Sequence, residues 1–444
     1  MAPVPEYEPL RDEAQVDDDE DDVSISDGES TQPTSSFSWL EYSIFLLLGI
    51  AMLWAWNMFL AAAPYFQHRF QSSEWASAHF QSSILSVSTV TNLGSVIVLA
   101  KSQRNASYES RISLSLTINV VVFTLLAFSV LARNASVGAY FFFLMVMVFG
   151  ASLATGINQN GVFAYVSRFG REEYVQAIMA GQGVAGVFPC IVQIVSVLAV
   201  PERKQGPPGA GEQESPKSAF AYFITASLIA AVTLAAFCYL ARQQSRHGPK
   251  LVPDDEPEPD LTGHKTVGLW ALFRKLHWMA LAIFLCFALT MVFPVFTEKI
   301  KSVRDPASAP RLFQPAIFIP LAFLIWNLGD LLGRMSVLLP SLSLTHYPWA
   351  LFVIAVSRII VIPLYFLCNV HGNGAVVNSD AFYLAVQFLF GIANGYLGSS
   401  CMMGAGQWVA VEEREAAGGF MTLMLVGGLT VGSLLSFLAS SAST

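Results

Sequence analysis

An acid and a base lie together in a segment that is otherwise almost entirely apolar, Phe323–Arg334 (FLIWNLGDLLGR). Asp330 and Arg334 are four residues apart and Asn327 precedes the acid by three, so on a helix the three share a sector of about 60°. Ionisable groups at membrane depth cost about 2.5–3.5 kcal/mol each on insertion scales and normally face a bundle interior or a wet cavity. Two interpretations stay open: a helix-end ion pair that reaches the lipid headgroups, or one polar wall of a solute pathway.

Two other apolar segments carry polar or aromatic groups far from their ends. LWAWNMF contains Trp56 followed by Asn57, and GINQNGVF contains three successive amides with Gln159 in the centre. A buried amide needs a hydrogen-bond partner, and an amide can pair both its donor and its acceptor with a nucleobase edge or a sugar hydroxyl. Packing of the tryptophan and hydrogen bonding between helices by the amides are the alternative interpretations.

Patterns that would indicate catalysis or metal binding are absent from the sequence. It has no Walker-type phosphate loop, no zinc-ligand spacing and no Ser/His/Asp grouping, and all five cysteines lie in apolar runs. We therefore predict no enzyme activity, no catalytic residue, no metal and no cofactor. A carboxylate paired with a guanidinium is a poor proton carrier, which favours downhill transport. Glu298 and Asp380 at span ends leave proton coupling open.

The composition identifies the elements that must hold these groups. Of 444 residues, 54% are hydrophobic and 13% are charged, against about 25% charged in a typical soluble domain. Apolar runs of about 20 residues, each long enough to cross the hydrocarbon core, recur along the whole chain. We predict an all-α polytopic membrane protein with about eleven spans, at 39–63, 79–100, 112–132, 139–166, 173–200, 219–241, 277–297, 313–334, 348–369, 380–403 and 416–439.

Charge is distributed unevenly along the chain. Residues 1–36 hold twelve acidic residues and one base, a net charge of −11, which leaves +3 of the total of −8 for the remainder. No basic patch with interleaved aromatic residues is present, so we expect no nucleic-acid partner. If the N-terminus is cytoplasmic, the segments inside the cell hold fourteen Lys and Arg residues and those outside hold nine. The positive-inside rule therefore favours a cytoplasmic N-terminus and a C-terminus on the other side.

The polar segments divide the chain into four parts. Residues 1–36 are predicted to be an acidic, disordered cytoplasmic tail, and 242–268, which contain PDDEPEPD, a flexible cytoplasmic linker. Residues 37–241 would form an N-terminal six-helix bundle and 269–444 a C-terminal five-helix bundle. In the tail, YEPL at Tyr7–Leu10 has the pattern of a tyrosine-based sorting signal, which would bind a sorting adaptor. A solvated tail without such a partner is the alternative interpretation.

Glycine and proline add expectations about packing. The clusters at Ala180–Phe188, Gly391–Ser400 and Gly427–Gly432 indicate helices that approach each other closely. Pro189, Pro294, Pro320 and Pro363 lie within predicted spans and are expected to loosen or kink them. Kinked spans suit a carrier that rocks between two states, and they also occur in static bundles.

Taken together and in order, several motifs resemble those of the equilibrative nucleoside transporter family across nearly the whole membrane body. The Asn-x-x-Asp-x-x-Gly-Arg pattern in WNLGDLLGR is the most specific of them. In the first span the family has a proline before Trp-Asn, whereas this sequence has Ala55. The other matching stretches are RISLSL from Arg111, NQNGVF from Asn158, MAGQGVAG from Met179, FPVFTE from Phe293, RIIVIPLYFLCNV from Arg358 and NGYLGSSCM from Asn394.

The resemblance implies a fold similar to the major facilitator superfamily, with six helices facing five across a central cavity. It implies alternating-access transport of purine and pyrimidine nucleosides, and of nucleobases in some members. Trp56 and Asn57 would contact the base and Gln159 its edge. Asp330 and Arg334 would bind the ribose or a neighbouring polar group.

Four further residues acquire supporting roles from the same resemblance. Asn327, Phe293 and Pro294 would line the pocket, and Arg111 would support the acid and base of the eighth span. The QNGVFA motif and the acidic tail resemble those of fungal members. We therefore expect the protein in a vacuolar or other internal membrane, by a narrow preference over the plasma membrane. Proton-coupled nucleoside or nucleobase transport, a major-facilitator-type carrier of another small polar solute, and a ligand-binding receptor without transport are the alternatives.

Overall fold

The structure, a computed structural model, describes residues 37–101, 107–131, 135–199, 216–247, 267–305 and 309–442. The predicted tail 1–36 with its Tyr7–Leu10 motif, and most of the predicted linker 242–268, lie outside these ranges. The described helices are α1 (Trp39–Ala61), α2 (Ala63–Arg69), α3 (Glu74–Lys101), α4 (Tyr108–Ser129), α5 (Val137–Ser167), α6 (Glu172–Ala199), α7 (Pro216–His247), α8 (Leu269–Thr290), α9 (Val292–Lys299), α10 (Pro315–Ser336), α11 (Pro348–Ser357), α12 (Val361–Phe366), α13 (Asp380–Gly404) and α14 (Arg414–Ala442).

Eleven segments of the described chain are long and apolar enough to cross a membrane, which confirms the predicted number of spans. Six of them, α1 and α3 to α7, precede residues 248–266, and five follow. The predicted limits differ most in the seventh span, which begins at Leu269 instead of 277. Arg274 and Lys275 interrupt the apolar run there, yet the helix continues through them because its other face is buried through Leu272 and Leu276.

Serine residues determine where four of the spans begin. The side chains of Ser38, Ser107, Ser136 and Ser379 accept a hydrogen bond from the backbone N–H three residues further on, at the first turns of α1, α4, α5 and α13. Each bond satisfies one of the backbone donors that a helix start leaves unpaired. The polar caps therefore place these helix starts next to the apolar runs that follow.

Two of the eleven spans are interrupted within their length. The seventh consists of α8 and α9 with a break at Met291, because Pro294 has no N–H to donate to the carbonyl four residues earlier. The carbonyl of Met291, the residue at the break, accepts a hydrogen bond from Ser436 Oγ at 3.0 Å. The ninth consists of α11 and α12 joined by a 3-10 turn at Arg358–Ile360. A break near a proline is therefore found in the seventh span, whereas α6 and α10 continue as helices through Pro189 and Pro320.

The first six spans pack mainly on one another, as do the last five, and the two groups meet along two seams. In one seam α6 packs on α10 and α13, and in the other α14 packs on α3 and α5. The glycine clusters allow close approaches within each group. A Cβ at Gly181 of α6 would lie 2.1 Å from the Leu46 carbonyl oxygen of α1, and one at Gly395 of α13 would lie 1.8 Å from that of Asp330 in α10. The predicted packing role is confirmed at both positions.

Candidate functional site

A cavity lies between the two groups of helices, about half-way along α1, α3, α5 and α14. Its volume of about 170 Å³ far exceeds the 10–15 Å³ or so that one water needs by the same measure. Helices of both groups line it, together with the break in the seventh span. Its lining residues are Met52, Leu53, Ala55, Trp56, Phe59, Leu85, Ser88, Thr89, Asn92, Val148, Ala151, Ser152, Thr155, Gln159, Met291, Val426, Leu429, Thr430 and Ser433.

Of the predicted substrate residues, Trp56 and Gln159 are the two that line this cavity. Gln159 is 6% exposed, and its Oε1 is buried without a hydrogen-bond partner among the described residues. A buried amide oxygen in that condition is destabilised by lost solvation unless a ligand or water donates to it. The indole of Trp56 provides a flat apolar surface in the same cavity.

One face of α3 supplies polar groups that the sequence analysis did not select. Ser88, Thr89 and Asn92 line the cavity together with Ser152 and Thr155 of α5. The Oδ1 atom of Asn92 is buried and has no partner in the part of the chain that the structure describes. Hydroxyl and amide residues recur along SSILSVSTVTN with helical spacing, and this periodicity is the signal that would have identified the face.

The acid and base of α10 form a buried ion pair that does not line the cavity. Arg334 Nε donates to Asp330 Oδ2 at 2.7 Å, and the two residues are 4% and 3% exposed. The prediction that they share a helix face is confirmed. The alternative of a pair that reaches the headgroups does not fit this burial.

The ion pair also joins the two groups of helices. Arg334 Nη1 donates to the carbonyl oxygen of Met179 at 3.0 Å and to Gln182 Oε1 at 3.1 Å, both in α6. Gln182 Nε2 in turn lies 2.9 Å from the Sδ atom of Met52, a cavity-lining residue of α1. The side chains of Gln182 and Met52 therefore lie between the ion pair and the cavity.

Two residues of other spans complete the surroundings of Asp330. Asn394 Nδ2 of α13 donates to Asp330 Oδ1 at 2.7 Å. Arg358, in the broken ninth span, donates through Nη2 to Asn394 Oδ1 at 3.1 Å. Sequence reasoning quoted both residues within matching motifs and assigned a role to neither. The signal was available for Arg358, which besides Arg334 is the one lysine or arginine that the predicted spans enclose.

The remaining predicted residues lie apart from the cavity lining. Asn57 Nδ2 donates to the carbonyl oxygen of Ala185 at 2.7 Å and so ties α1 to α6. Asn327 Nδ2 donates to its own helix, to the carbonyl oxygen of Phe323 at 2.8 Å. Arg111 Nη1 donates to Asn160 Oδ1 at 2.8 Å, between α4 and α5.

Phe293 and Pro294 lie just beyond the break in the seventh span. The Phe293 ring stacks on Trp326 of α10, with centroids 4.3 Å apart and planes inclined by 12°. It is 6% exposed and belongs to an apolar cluster of the last five spans. Pro294 is half-buried beside it. Both residues therefore adjoin Met291 of the cavity wall without lining it themselves.

Polar contacts also join the two groups near the ends of their helices. Arg168 Nε lies 2.8 Å from Glu415 Oε1, between the end of α5 and the start of α14. Gln407 bonds to Glu172 at the start of α6. These contacts link the two groups at the end of the molecule at which α6 and α14 begin.

Comparison with known proteins identifies nucleoside transporters as relatives of this chain. A sequence profile for the family described as nucleoside transporter matches residues 144–251 and 254–441. The nucleoside transporter FUN26 of Saccharomyces cerevisiae is 30% identical, over 90% of this chain and 83% of the relative. Equilibrative nucleoside transporter 1 of Mus musculus is also 30% identical, over 92% and 98%. Equilibrative nucleoside transporter 2 of Homo sapiens is 27% identical, over 89% and 95%.

Solved structures with a similar fold belong to the major facilitator superfamily. The proton:xylose symporter XylE has a TM-score of 0.58 and 12% identity, over 91% of this chain and 88% of its own. The transporter FucP in its outward conformation has a TM-score of 0.51 and 16% identity, over 91% and 94%. The predicted likeness to this superfamily is therefore confirmed for the fold.

Proposed function

The chain belongs to the nucleoside transporter family, and from this membership we propose that it carries nucleosides across a membrane by alternating access, driven by the nucleoside gradient alone. The observation that carries the proposal is the cavity lined by both groups of helices. A solute bound there would contact both halves, so its binding free energy would depend on how the halves are arranged. This is the condition for a carrier whose access alternates.

In the proposed binding mode, the base stacks on Trp56 and pairs with the amide of Gln159. The aromatic face and the unpartnered amide oxygen in one cavity support this assignment. A nucleobase has an apolar face and an edge that carries both donors and acceptors. Losing one hydrogen bond to the base would weaken binding by about 0.5–1.5 kcal/mol.

Asp330 and Arg334 are proposed to take part through the seam between α6 and α10. The bonds from Arg334 to Met179 and Gln182 cross from one group of helices to the other. They must break when the groups move apart, and a buried guanidinium then needs new acceptors. We propose that ribose hydroxyls supply them, with the carboxylate of Asp330 accepting from the same sugar. Asn327, which lies along the same seam, and Asn57, which is bonded to α6 from α1, would join the pocket in that state.

The decisive experiment is uptake of radiolabelled adenosine and adenine into proteoliposomes, with and without a pH gradient. We expect adenosine uptake that saturates, is inhibited by unlabelled nucleosides and is insensitive to the gradient. Gln159→Ala should lower uptake at low substrate by about three- to tenfold, the equivalent of the lost hydrogen bond. Gln81→Ala, at an exposed position of α3, is the matched control.

The same experiment separates the rival functions. Uptake that requires the pH gradient would replace the facilitative proposal with proton coupling. Failure of nucleosides to compete, with uptake of a sugar instead, would indicate a carrier of another small polar solute. Binding of nucleoside without counterflow would indicate a receptor.

For cellular location we propose a multi-pass protein of the vacuole or another internal membrane, with a cytoplasmic N-terminus. The Lys and Arg distribution and the Tyr7–Leu10 motif support this proposal. Tyr7→Ala should move a fluorescently tagged protein to the plasma membrane if a sorting adaptor binds the motif. An unchanged distribution would exclude that role, and protease protection of an N-terminal tag would test the orientation.

A further inference from the structure

Asp330 is held by a chain of hydrogen bonds that extends across four spans. Starting in the ninth span, Arg358 donates to Asn394, Asn394 donates to Asp330, and Asp330 accepts from Arg334, which donates to Gln182 of α6. The donor–acceptor distances are 3.1, 2.7, 2.7 and 3.1 Å in that order. The chain therefore links a buried base of the second group to the seam with the first.

The chemistry of arginine determines the direction of every bond in this chain. A guanidinium has donors and no acceptor, so the atom of Asn394 that faces Arg358 must be its oxygen. The Oδ1 atom of Asn394 also accepts from Thr290 Oγ1 at 2.5 Å. Its Nδ2 must then face Asp330, which accepts on one oxygen from Asn394 and on the other from Arg334. Both carboxylate oxygens are engaged as acceptors.

Arg358 is itself held firmly in place. It is 4% exposed, and Nη1 donates to the carbonyl oxygen and the Sγ atom of Cys286, each at 2.8 Å. Its Cζ lies 4.5 Å from the ring centroid of Phe390, a cation–π distance. It forms no ion pair within the described residues, so its connection to a carboxylate passes through Asn394. Removing a guanidinium from water costs free energy wherever it is buried. Arginines within membrane spans are therefore usually functional residues.

We infer that Arg358 and Asn394 are positioning residues for the proposed transport reaction. Arg358 orients the Asn394 amide, and that amide holds the Asp330 carboxylate toward Arg334 and the seam with α6. The inference rests on the proposed function, because it assigns the two residues to the transport step and not to folding alone.

Four variants test this assignment, with uptake expressed per folded molecule. Asn394→Leu and Arg358→Lys should each lower kcat/KM for adenosine about tenfold or more, the scale of one lost bond to a charged group. Gln387→Leu is the matched control, because Gln387 is another buried, fully bonded amide of α13. It should lower the melting temperature comparably while uptake per folded molecule stays near that of the wild type.

The fourth variant exchanges the two side chains, Asp330→Asn together with Asn394→Asp. This double change keeps the total charge and lets every donor meet an acceptor, because the amide at 330 can donate to the carboxylate at 394. We expect the melting temperature to recover relative to Asp330→Asn and Asn394→Asp, the two single changes measured beside it. Uptake should stay at least tenfold below wild type because the carboxylate has moved away from the seam.

Three results would overturn the inference. Recovery of uptake in the exchanged protein would show that the position of the carboxylate is irrelevant. No recovery of the melting temperature would contradict the assigned order of donors and acceptors. An Asn394→Leu effect on uptake no larger than that of Gln387→Leu would reduce Asn394 to a structural role. Absence of nucleoside uptake by the wild type would instead refute the proposed function. The melting temperatures of the variants would still test the assigned order of donors and acceptors.

Discussion

Gly395→Ala is the substitution whose effect the structure determines most directly. A Cβ at this position of α13 would lie 1.8 Å from the carbonyl oxygen of Asp330, 2.7 Å from its carbonyl carbon and 2.9 Å from the backbone nitrogen of Arg334. All three atoms belong to the backbone of α10, so no side chain can move aside. Reaching an ordinary contact of 3.4 Å requires a separation of the helices by about 1.6 Å.

The consequence extends to the buried ion pair. Overpacking of this kind costs about 1–3 kcal/mol, and more where only backbone can yield. The same displacement would stretch the bond from Asn394 to Asp330, now 2.7 Å, beyond hydrogen-bond range. We therefore expect a clearly lowered melting temperature for the purified protein, together with loss of nucleoside uptake by the molecules that remain folded.

Gly94→Ala is the matched control for this prediction. Gly94 lies within α3, is exposed, and would have no atom within 4 Å of its added methyl group. Alanine is also the better helix former by about 1 kcal/mol, so the melting temperature should not fall and uptake should persist. The reasoning is refuted if Gly395→Ala melts and transports like Gly94→Ala, because α10 and α13 would then not be in the close contact described.

Three further predictions concern the ion pair, the seam and the cavity. Asp330→Leu alone leaves the buried Arg334 guanidinium without its counter-charge and should lower the free energy of unfolding by about 3–5 kcal/mol. Adding Arg334→Met should restore most of the melting temperature. Uptake should be lost in both variants. The side chain of Arg168 in the ion pair with Glu415 is 47% exposed, so Glu415→Gln should change the uptake rate by no more than about fivefold, equivalent to 1 kcal/mol. Asn92→Val removes an amide from the cavity wall and should raise the KM for adenosine by about two- to tenfold in proteoliposomes, at an unchanged melting temperature.

The placement of these groups relates to how such a carrier would move. The bonds from Arg334 to Met179 and Gln182 involve a buried base, whereas in the outer contact the Arg168 side chain is 47% exposed and that of Glu415 17% exposed. Screened surface pairs contribute little to an equilibrium between states. The free-energy difference between arrangements should therefore depend mainly on what Arg334 binds once Gln182 and Met179 move away. A solute that supplies new acceptors would favour the alternative arrangement.

Local features of the sequence were sufficient for the elements of the fold. Span number follows from the length of apolar runs, since the hydrocarbon core demands about 20 residues and every backbone group must be paired within the helix. The pairing of Asp330 with Arg334 was equally predictable because both lie on one helix, one turn apart. The break near Pro294 follows from its missing N–H.

Tertiary structure alone decided which polar groups meet. In a membrane span the lipid-facing and the buried faces are both apolar, so hydrophobic periodicity does not reveal how a helix is rotated about its axis. Sequence patterns therefore did not show that Asn57 points toward α6 while Trp56 lines the cavity. The Arg358–Asn394 link joins residues 36 positions apart on different spans. Such contacts depend on the packing of several helices at once, and no single segment encodes them.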